Sequence, residues 1–354
     1  MRTVHVVVPE GIDDPTRPSG GNVYDRRVCR GLAGLGWSVH EHAVPGGWPH
    51  PDAAAHAALG DALAGIPEDA VVLVDGIIAS TAPEHLTAHA HRVRPVVLMH
   101  MPLGDGGEGT APDAARREAA TLAAAAAVIT TSAFTRRRLL DRYGLPAHRV
   151  HVARPGTDAA PLARGSTGGG VLLCVAAVTR GKGHDVLLEA LATVADLPWT
   201  CVCAGSLGRD PQFVAHLRAR GCELGLDHRV DFAGPHTGRE LRRRYAAADL
   251  VVLASRAETF GMVLTEALAH GVPVLATRVG GVTEAVGHGA DGTVPGLLVP
   301  PGDPAALGAA LRRWLCDASL RGRLRRAARQ RRASLAGWPA TVSVLDHVLG
   351  GVCR

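Results

Sequence analysis

The sequence predicts an α/β protein built from two Rossmann-like domains that face each other across a cleft. In both halves, short runs of aliphatic and β-branched residues alternate with helix-forming stretches. The strand-like runs are continuously apolar, which is typical of parallel strands covered by helices on both faces. The chain has 354 residues, more than one hydrophobic core usually organises. Ligands of open α/β sheets bind beyond the carboxyl ends of the strands, so the cleft is the expected site.

The first domain is predicted over residues 1–160. Its strands are expected at residues 4–8, 70–75, 96–100, 127–130 and 149–153, and its helices include residues 24–36 and 111–125. The stretch "PLARGSTGGG", residues 161–170, is rich in Pro, Ser and Gly. This composition indicates a flexible junction between the domains.

The alternation resumes in the second domain, predicted over residues 171–337. Strands are expected at residues 171–178, 199–205, 229–234, 249–255, 272–278 and 296–300, and helices at 183–194, 210–225, 238–248 and 261–270. Residues 338–354 are expected to form a helix that packs back on the first domain.

Charge and composition exclude some function classes. The 38 basic and 33 acidic residues leave a net charge of +5, too mild and dispersed for nucleic acid but suited to a phosphate-bearing ligand. The basic segment 321–332 is interpreted as the solvated face of a late helix, with weak peripheral membrane contact as the alternative. The seven cysteines include no C-x-x-C pair, which favours buried thiols in a reducing compartment. The start of the chain lacks a signal-peptide layout, so a cytoplasmic location is expected.

Two glycine-containing segments at helix starts are candidate phosphate sites, because backbone N–H groups at a helix start bind anions. Gly20 and Gly21 precede the first helix; a flexible turn is the alternative. Arg180 and Lys182 in "VTRGKGHD" follow the first strand of the second domain. Two cations beside a helix start are suited to binding a diphosphate. The alternative is a solvated basic loop. Neither segment matches the dinucleotide fingerprint or the Walker loop.

His100 ends a predicted strand, where its imidazole could bond a substrate hydroxyl or stabilise developing charge. A structural role is equally open. Other histidines have some metal-like spacing but are interpreted as surface residues without an acidic or cysteine partner, namely His85, His89, His91, His148 and His151. The chain also contains no D-x-D sequence. The prediction is therefore that the protein uses no metal and no cofactor.

The stretch "AETFGMVLTEALAHG", residues 257–271, joins a buried strand to a helix. Gly261 allows a tight turn, and the helix from about Met262 presents its first N–H groups to the ligand. Glu258 is expected in the loop, and Glu266 about one turn into the helix. Two carboxylates beside an anion site are suited to accept hydrogen bonds from neutral hydroxyl groups, such as those of a sugar and a ribose. The alternative is a solvated loop acid and a surface helix acid.

Together these stretches resemble the retaining glycosyltransferases of family 4, which have the GT-B fold. The strongest part is residues 256–287, which contains the family's E-x7-E element. The supporting segments are "TSAFTRRRLLDRYGLPAHRVHVARPGTD" (131–158), "RGKGHDVLLEAL" (180–191), "VDFAG" (230–234) and "GLLVPPGDPAALGAAL" (296–311). The resemblance covers nearly the whole chain.

The resemblance implies a role for each matched position. Arg180 and Lys182 would hold the donor diphosphate, although here only Gly181 separates them, where the family often has several more residues. Glu258 would contact the transferred sugar and Glu266 the ribose. The remaining positions are implied to contact the sugar or the diphosphate, through the backbone of Phe260, Gly261, Met262 and Val263, the glycine loop of Gly20 and Gly21, and the side chain of His100.

The activity implied is transfer of a hexose from a nucleotide sugar, with UDP the first choice, to a hydroxyl of an unidentified acceptor. Retention would proceed on one face of the sugar without a protein nucleophile or a metal, and the nucleotide sugar is a co-substrate. Residues 11–22 and 102–113 are expected to shape the acceptor site. The alternatives are a sugar-nucleotide 2-epimerase and a non-catalytic nucleotide-sugar-binding subunit. The oligomeric state stays open.

Overall fold

The computed structural model describes residues 2–104 and 113–353 of the chain. The chain divides into two compact units. Unit 1 comprises Met1–Asp13, Gly20–Gly156 and Trp338–Arg354, and unit 2 comprises Asp14–Ser19 and Thr157–Gly337. Each unit contains a six-stranded sheet whose paired strands are parallel. The predicted α/β class with two Rossmann-like domains is confirmed.

The sheet of unit 1 has the strand order β2-β1-β3-β4-β5-β6. Its strands are β1 (Arg2–Pro9), β2 (Trp37–Val44), β3 (Val71–Asp75), β4 (Arg94–Met99), β5 (Ala127–Thr130) and β6 (Val150–Val152). The helices between them are α1 (Gly20–Gly34), α2 (Ala53–Ala64), α3 (Gly76–Thr81), α4 (Pro83–His89), α5 (Ala114–Ala124) and α6 (Ala133–Tyr143).

Two features of unit 1 differ from the sequence prediction. Strand β2 is not among the predicted strands, because its sequence "WSVHEHAV" mixes polar with apolar residues, as suits a strand at the edge of a sheet. Helix α1 begins at Gly20 rather than at residue 24. Gly20 and Gly21 are therefore the first residues of the helix and not a loop before it.

The sheet of unit 2 has the order β12-β11-β10-β7-β8-β9. Its strands are β7 (Val171–Val175), β8 (Thr200–Ala204), β9 (Val230–Gly234), β10 (Leu250–Leu253), β11 (Val274–Thr277) and β12 (Gly296–Val299). Its helices are α7 (His184–Ala192), α8 (Pro211–Glu223), α9 (Gly238–Ala247), α10 (Met262–Ala269), α11 (Val282–Val286), α12 (Pro304–Cys316) and α13 (Ala318–Arg332).

Alternate residues of the central strands of unit 2 enter different hydrophobic clusters. Leu172 and Val252 belong to one cluster with residues of α7, α8 and α12. Leu173 and Val251 belong to another with residues of α10, α11 and α13. Because successive side chains of a strand point to opposite faces, both faces of this sheet are covered by helices.

The strand order of unit 2 reverses between β7 and β10. The chain runs from β7 outward through β8 and β9, then returns to β10 and continues in the other direction through β11 and β12. Ligands of doubly wound sheets bind at the carboxyl ends of the two strands at such a switch point. The loops that follow β7 and β10 are therefore the expected site, and they carry Lys182 and Glu258.

The segment 161–170, predicted to be a flexible junction, is tied to unit 2 by the buried carboxylate of Asp249. Ser166 donates its N–H and its hydroxyl to the two Asp249 oxygens at 2.6 and 2.5 Å. Arg325 pairs with the same carboxylate at 2.8 Å. Asp249 lies 83 residues beyond Ser166, so the composition of the segment alone could not reveal this attachment.

The basic segment 321–332 lies in α13, as the late-helix interpretation predicts. Leu320 and Leu324 are buried, and several arginines bond to carbonyl or carboxylate groups within unit 2, namely Arg321, Arg325, Arg331 and Arg332. These arginines contribute to the packing of unit 2. No helix within the described ranges is both long and apolar enough to span a bilayer.

The last helix, α14 (Trp338–Val352), belongs to unit 1 and packs on α1. A Cβ atom at Gly31 would lie 2.3 Å from a methyl group of Val342, so the glycine allows the close approach of the two helices. Asp346 accepts a hydrogen bond from the Trp37 indole at 2.7 Å. Thr341 donates to the carbonyl oxygen of Arg154 at 2.7 Å.

Candidate functional site

The loops after β7 and β10 are joined by an ion pair between Lys182 and Glu258. The Lys182 Nζ atom lies 2.6 Å from Oε1 of Glu258. Lys182 ends a short 3₁₀ turn, and Gly183 follows it with φ +68°. A Cβ atom at Gly183 would lie 2.1 Å from the carbonyl oxygen of Ala254. Glycine is therefore required here, since the loop after β7 lies directly against the loop after β10.

Glu258 is held by a second hydrogen bond. Its Oε1 atom also accepts from the Ser255 hydroxyl at 2.8 Å, and its side chain is 10% exposed against 34% for Lys182. The two short contacts fix the position of Oε1. The ammonium group has three donors and the carboxylate two oxygens, so both groups keep capacity for a ligand beyond their mutual contact.

The backbone of the Glu258 loop is supported by Gly280 and Gly281. The N–H group of Gly281 donates to the Glu258 carbonyl oxygen at 3.1 Å. Gly280 has φ +52°, and a Cβ atom there would lie 1.6 Å from that same oxygen. A side chain at residue 280 would thus displace the main chain of Glu258.

Replacing Gly280 with alanine is expected to lower both thermal stability and donor binding. Gly302→Ala is the matched control: Gly302 also has positive φ, +68°, but a Cβ atom there meets nothing within 4 Å. The left-handed conformation costs about 1–2 kcal/mol for a non-glycine residue, so both variants should lose stability. Only Gly280→Ala should also weaken binding of nucleoside diphosphate, measured by calorimetry. Equal binding by the two variants would contradict the support assigned to Gly280.

The start of α10 completes this side of unit 2. Gly261 is the N-cap with φ +92°, and no side chain in the described part of the protein caps the helix. The first N–H groups of a helix have no intrahelical acceptor, and they carry the positive end of the helix dipole. The side chain of Phe260 is 5% exposed. The predicted turn at Gly261 and helix start at Met262 are both observed.

Glu266 lies in the middle of α10 and is half-buried. Its Oε2 atom accepts a hydrogen bond from the Tyr245 hydroxyl at 2.8 Å. Burial, with the neighbouring carboxylate as a further cause, raises the pKa of Tyr245 well above its usual value. The tyrosine therefore stays protonated and keeps donating, which fixes the orientation of the carboxylate.

Arg180 and Lys182, which the sequence predicts to hold the donor diphosphate together, contact different groups of unit 2, and their joint contact with a diphosphate stays a prediction. The Arg180 guanidinium group lies over the ring of Phe213 at 5.1 Å and 3.8 Å from the Asp210 carboxylate. Both partners belong to α8 or its N-cap. Arg180 begins the 3₁₀ turn that Lys182 ends.

Arg256 links the two loops and is not among the predicted site residues. It forms two contacts with the Asp185 carboxylate, at 2.9 and 2.6 Å, and donates to the carbonyl oxygen of Arg180 at 2.6 Å. Its own N–H group donates to the carbonyl oxygen of Gly181 at 2.9 Å. These bonds hold the turn that carries Lys182 against the loop that carries Glu258.

In unit 1, His100 lies at the end of β4 in a cluster with two aspartates. Its Nε2 atom is 2.7 Å from Oδ1 of Asp25 and 3.9 Å from Oδ2 of Asp75. The Tyr24 ring meets the imidazole edge-on, with centroids 5.1 Å apart. A Cβ atom at Gly21 would lie 3.4 Å from Cδ2 of His100. The glycine of the first helical turn thus borders the histidine.

The two aspartates change the protonation of this cluster. Burial lowers the pKa of His100, but the charge and hydrogen bond of Asp25, with the charge of Asp75, outweigh it and raise the pKa to about 9. Burial and the Asp25 charge raise the pKa of Asp75 to about 7. Near neutral pH, His100 is therefore an imidazolium whose Nε2 atom lies beside the Asp25 carboxyl group.

The His100 imidazole is expected to titrate near pH 9 in an NMR titration of the intact chain. Asp25→Asn should lower this pKa, because the main compensating charge is lost. Since the pKa is raised from 6.5 to about 9, its contribution to stability is complete below pH 6.5 and is lost as the pH rises through 9. Asp75 also binds its proton more tightly in the folded state, so its contribution to stability likewise falls as the pH rises to about 7. A wild-type His100 pKa below 7 would contradict this charge arrangement.

Several contributors to these clusters are not predicted from the sequence. Asp75 ends β3, which pairs with β4, the strand directly before His100. Because neighbouring parallel strands end at the same edge of a sheet, the sequence could have indicated that Asp75 lies near His100. Asp25 and Tyr245 could not be predicted from the sequence, because each is a helical residue whose partner is distant in sequence. Of the segments expected to shape the acceptor site, residues 105–112 lie outside the described part of the chain.

Comparison with known proteins places a family match on unit 2. Residues 164–331 match the model of the family described as glycosyl transferases group 1. The chain is 36% identical over 236 residues to the D-inositol 3-phosphate glycosyltransferase of Salinispora tropica, covering 60% of this chain and 48% of the relative. The relative of the same name in Kineococcus radiotolerans is 36% identical over 268 residues, covering 68% and 61%. The chain thus spans about half the length of the first of these relatives.

Solved structures resemble the whole chain. The sucrose-phosphate synthase of Thermosynechococcus elongatus matches with a TM-score of 0.80 and 23% identity, covering 99% of both chains. The Anabaena protein HepE, solved in complex with UDP-glucose, matches with a TM-score of 0.76 and 19% identity, covering 99% of this chain and 100% of its own. At these identities the likeness shows the fold alone, and that fold is GT-B, as the sequence resemblance implied.

Proposed function

Because residues 164–331 match the family model of the glycosyl transferases group 1, we propose that the chain is a retaining hexosyltransferase that uses a nucleotide-diphosphate sugar. The sugar would pass to a hydroxyl group of an acceptor. One observation carries the proposal: the 2.6 Å pair of Lys182 and Glu258 lies where the strand order of unit 2 reverses, beside the uncapped start of α10. This arrangement offers a cation, hydrogen-bond acceptors and helix N–H groups within one pair of loops.

The three elements match three parts of the donor. Lys182 and the start of α10 supply positive charge for the diphosphate. Glu258 supplies oxygens for hydroxyls of the sugar, and its contact with Lys182 orients the side chain. The backbone of Phe260, Gly261, Met262 and Val263 contributes the N–H groups. UDP is the first choice of nucleotide, since the structural neighbour HepE was solved with UDP-glucose.

Glu266 is assigned to the ribose hydroxyls. Its carboxylate is oriented by Tyr245 at 2.8 Å, and α10 presents it about one turn beyond the helix start. Two oxygens of a fixed carboxylate can accept from the two neighbouring hydroxyls of a ribose. The spacing between Glu258 and Glu266 would then span the sugar, the diphosphate and the ribose of one donor.

Tyr245→Phe is expected to raise KM for the nucleotide sugar by about 3–10-fold with little change in kcat. The reason is that the variant removes one hydrogen bond of about 1 kcal/mol to the carboxylate, which acts on the ribose and not on the reacting bond. Steady-state kinetics with varied donor would measure this. A fall in kcat with unchanged KM would contradict the ribose assignment.

The reaction needs no protein nucleophile. On one face of the sugar, the bond to the β-phosphate oxygen breaks as the acceptor hydroxyl oxygen bonds to the anomeric carbon, and the leaving diphosphate takes the acceptor proton. Lys182 and the start of α10 would stabilise the negative charge that develops on the diphosphate. No metal is required for this role in the proposal. His100, charged near neutral pH, is assigned the sugar contact that the family resemblance implies, and Gly20 and Gly21 the glycine-loop role.

The test is incubation of the purified chain with UDP-glucose and UDP-N-acetylglucosamine, with and without a panel of hydroxyl acceptors, followed by NMR. The panel includes D-inositol 3-phosphate, after which the relatives are named. Transfer with the donor's anomeric configuration in the product, and slow donor hydrolysis without acceptor, is the expected result. Epimerised donor without acceptor would indicate a 2-epimerase. Binding of UDP without turnover on any acceptor would indicate a non-catalytic subunit.

A further inference from the structure

A cluster of two histidines and a glutamate joins two helices of unit 1. His56 lies on α2, and Glu84 and His85 lie on α4. Nδ1 of His56 is 3.2 Å from Nε2 of His85 and 3.4 Å from Oε1 of Glu84. One ligand atom from each residue lies within 4.8 Å of the other two. The sequence prediction that His85 has no acidic partner was therefore wrong.

These separations agree with a tetrahedral metal site. Zinc binds imidazole nitrogens at about 2.0–2.1 Å and carboxylate oxygens at about 2.0–2.2 Å, which puts neighbouring ligand atoms about 3.3–3.5 Å apart. The two distances from Nδ1 of His56, 3.2 and 3.4 Å, agree with these separations within a few tenths of an ångström. The ligand atoms of Glu84 and His85, the third pair, lie within 4.8 Å of each other.

The donor set also selects the class of ion. We propose that His56, Glu84 and His85 bind a divalent transition-metal ion, with zinc as the reference ion. Two imidazoles and a carboxylate suit Zn²⁺, Co²⁺, Ni²⁺ or Cu²⁺, whereas Mg²⁺ and Ca²⁺ prefer oxygen ligands. The side chains of His56 and Glu84 are 31% and 57% exposed, so water can fill the fourth position.

The fold prepares the site from both helices. The His85 imidazole packs over Gly60 of α2, where a Cβ atom would lie 3.4 Å from two of its ring atoms. The rings of His56 and His85 lie 5.4 Å apart at an interplanar angle of 32°. Asp52 caps α2 by accepting from the N–H group of Ala55 at 2.8 Å, which fixes the helix turn that carries His56. A bound ion would cross-link α2 to α4.

The proposed site is independent of the transfer reaction. The cluster contains none of the residues assigned to the donor or to the His100 group, so failure of one proposal leaves the other intact. A zinc ion here would act on the stability of unit 1, because an ion that binds the folded chain alone stabilises it by mass action.

The experiment is a Zn²⁺ titration of the metal-free intact chain in competition with a chromophoric chelator. His56→Ala and His85→Ala should each abolish the binding of one equivalent of zinc or lower the zinc affinity about 100-fold or more. Glu84→Gln should lower the zinc affinity about tenfold. His91→Ala, which changes a nearby exposed histidine outside the cluster, should bind like the wild type. Melting curves without metal show whether each variant folds.

A spectroscopic measurement gives a second readout. Co²⁺ added to the wild type should produce the visible absorption bands of a tetrahedral site, and Zn²⁺ should displace them. Mg²⁺ at the same concentration should have no effect. The proposal is overturned if the folded His56→Ala and His85→Ala variants bind zinc with the stoichiometry and affinity of the wild type, or if the wild type binds no zinc.

Discussion

Lys182→Ala is expected to lower kcat by about 10²-fold or more, the scale seen when one preorganised charge contact with the transition state is removed. Lys182 is the cation that lies at Glu258, with Nζ and Oε1 2.6 Å apart. Its ammonium group would oppose the negative charge that grows on the departing diphosphate. Since that charge is greatest in the transition state, kcat should fall more than KM rises.

Arg180→Ala is the matched control for this prediction. Arg180 is two residues away and carries the same charge, but it contacts Phe213 of α8 and Asp210, the N-cap of that helix. We expect its replacement to lower kcat by less than about tenfold, the scale of a charge that binds without acting on the transition state. Steady-state rates of nucleotide release measure both variants. A kcat of Lys182→Ala within a few-fold of the wild-type value would contradict the catalytic role assigned to Lys182.

Glu258→Ala is the second change with a large expected effect, again about 10²-fold or more in kcat. The carboxylate is held by both Lys182 and Ser255 through Oε1, so it is oriented before the donor binds. Its removal deletes the acceptor for a sugar hydroxyl and leaves Lys182 without this partner. Glu258→Gln keeps the shape of the side chain, and its kcat should lie between those of Glu258→Ala and the wild type.

The double variant Lys182→Ala/Glu258→Ala separates a catalytic from a structural role. If the pair only stabilises unit 2, the double variant should recover much of the activity that a single substitution loses, because no unpaired charge is left in the protein. If both groups contact the donor, the double variant should be at least as slow as the slower single variant. Recovery of activity in the double variant would contradict the proposed roles.

Part of the candidate site could be predicted from the sequence. Lys182 and Glu258 could be predicted because each follows a strongly apolar strand, and parallel strands place their carboxyl-end loops on one edge. Gly261 and the start of α10 were also predictable, since glycine allows a tight turn after a strand and is accepted at the N-cap of a helix. The sheet order that makes β7 and β10 neighbours was not, because strand adjacency depends on contacts distant in sequence.

Other features could not be predicted from the sequence, for physical reasons. Spacing groups Arg180 with Lys182, but the Arg180 side chain contacts Phe213 and Asp210, which belong to α8 or its N-cap. Composition indicates a flexible segment at residues 161–170, but the buried Asp249 fixes it. The charge of His100 depends on Asp25, which is 75 residues away. Composition and local spacing describe the chain one segment at a time, whereas these three features arise from tertiary contacts.

The most direct measurement is calorimetric titration of the wild type and of Lys182→Ala with UDP, GDP, ADP and dTDP. We expect one nucleoside diphosphate, UDP first, to bind the wild type clearly more tightly than the others. We expect Lys182→Ala to lose at least about tenfold of that affinity, equivalent to about 1.4 kcal/mol. Absence of binding by all four nucleotides, or equal binding by the wild type and Lys182→Ala, would contradict a donor site at Lys182 and Glu258.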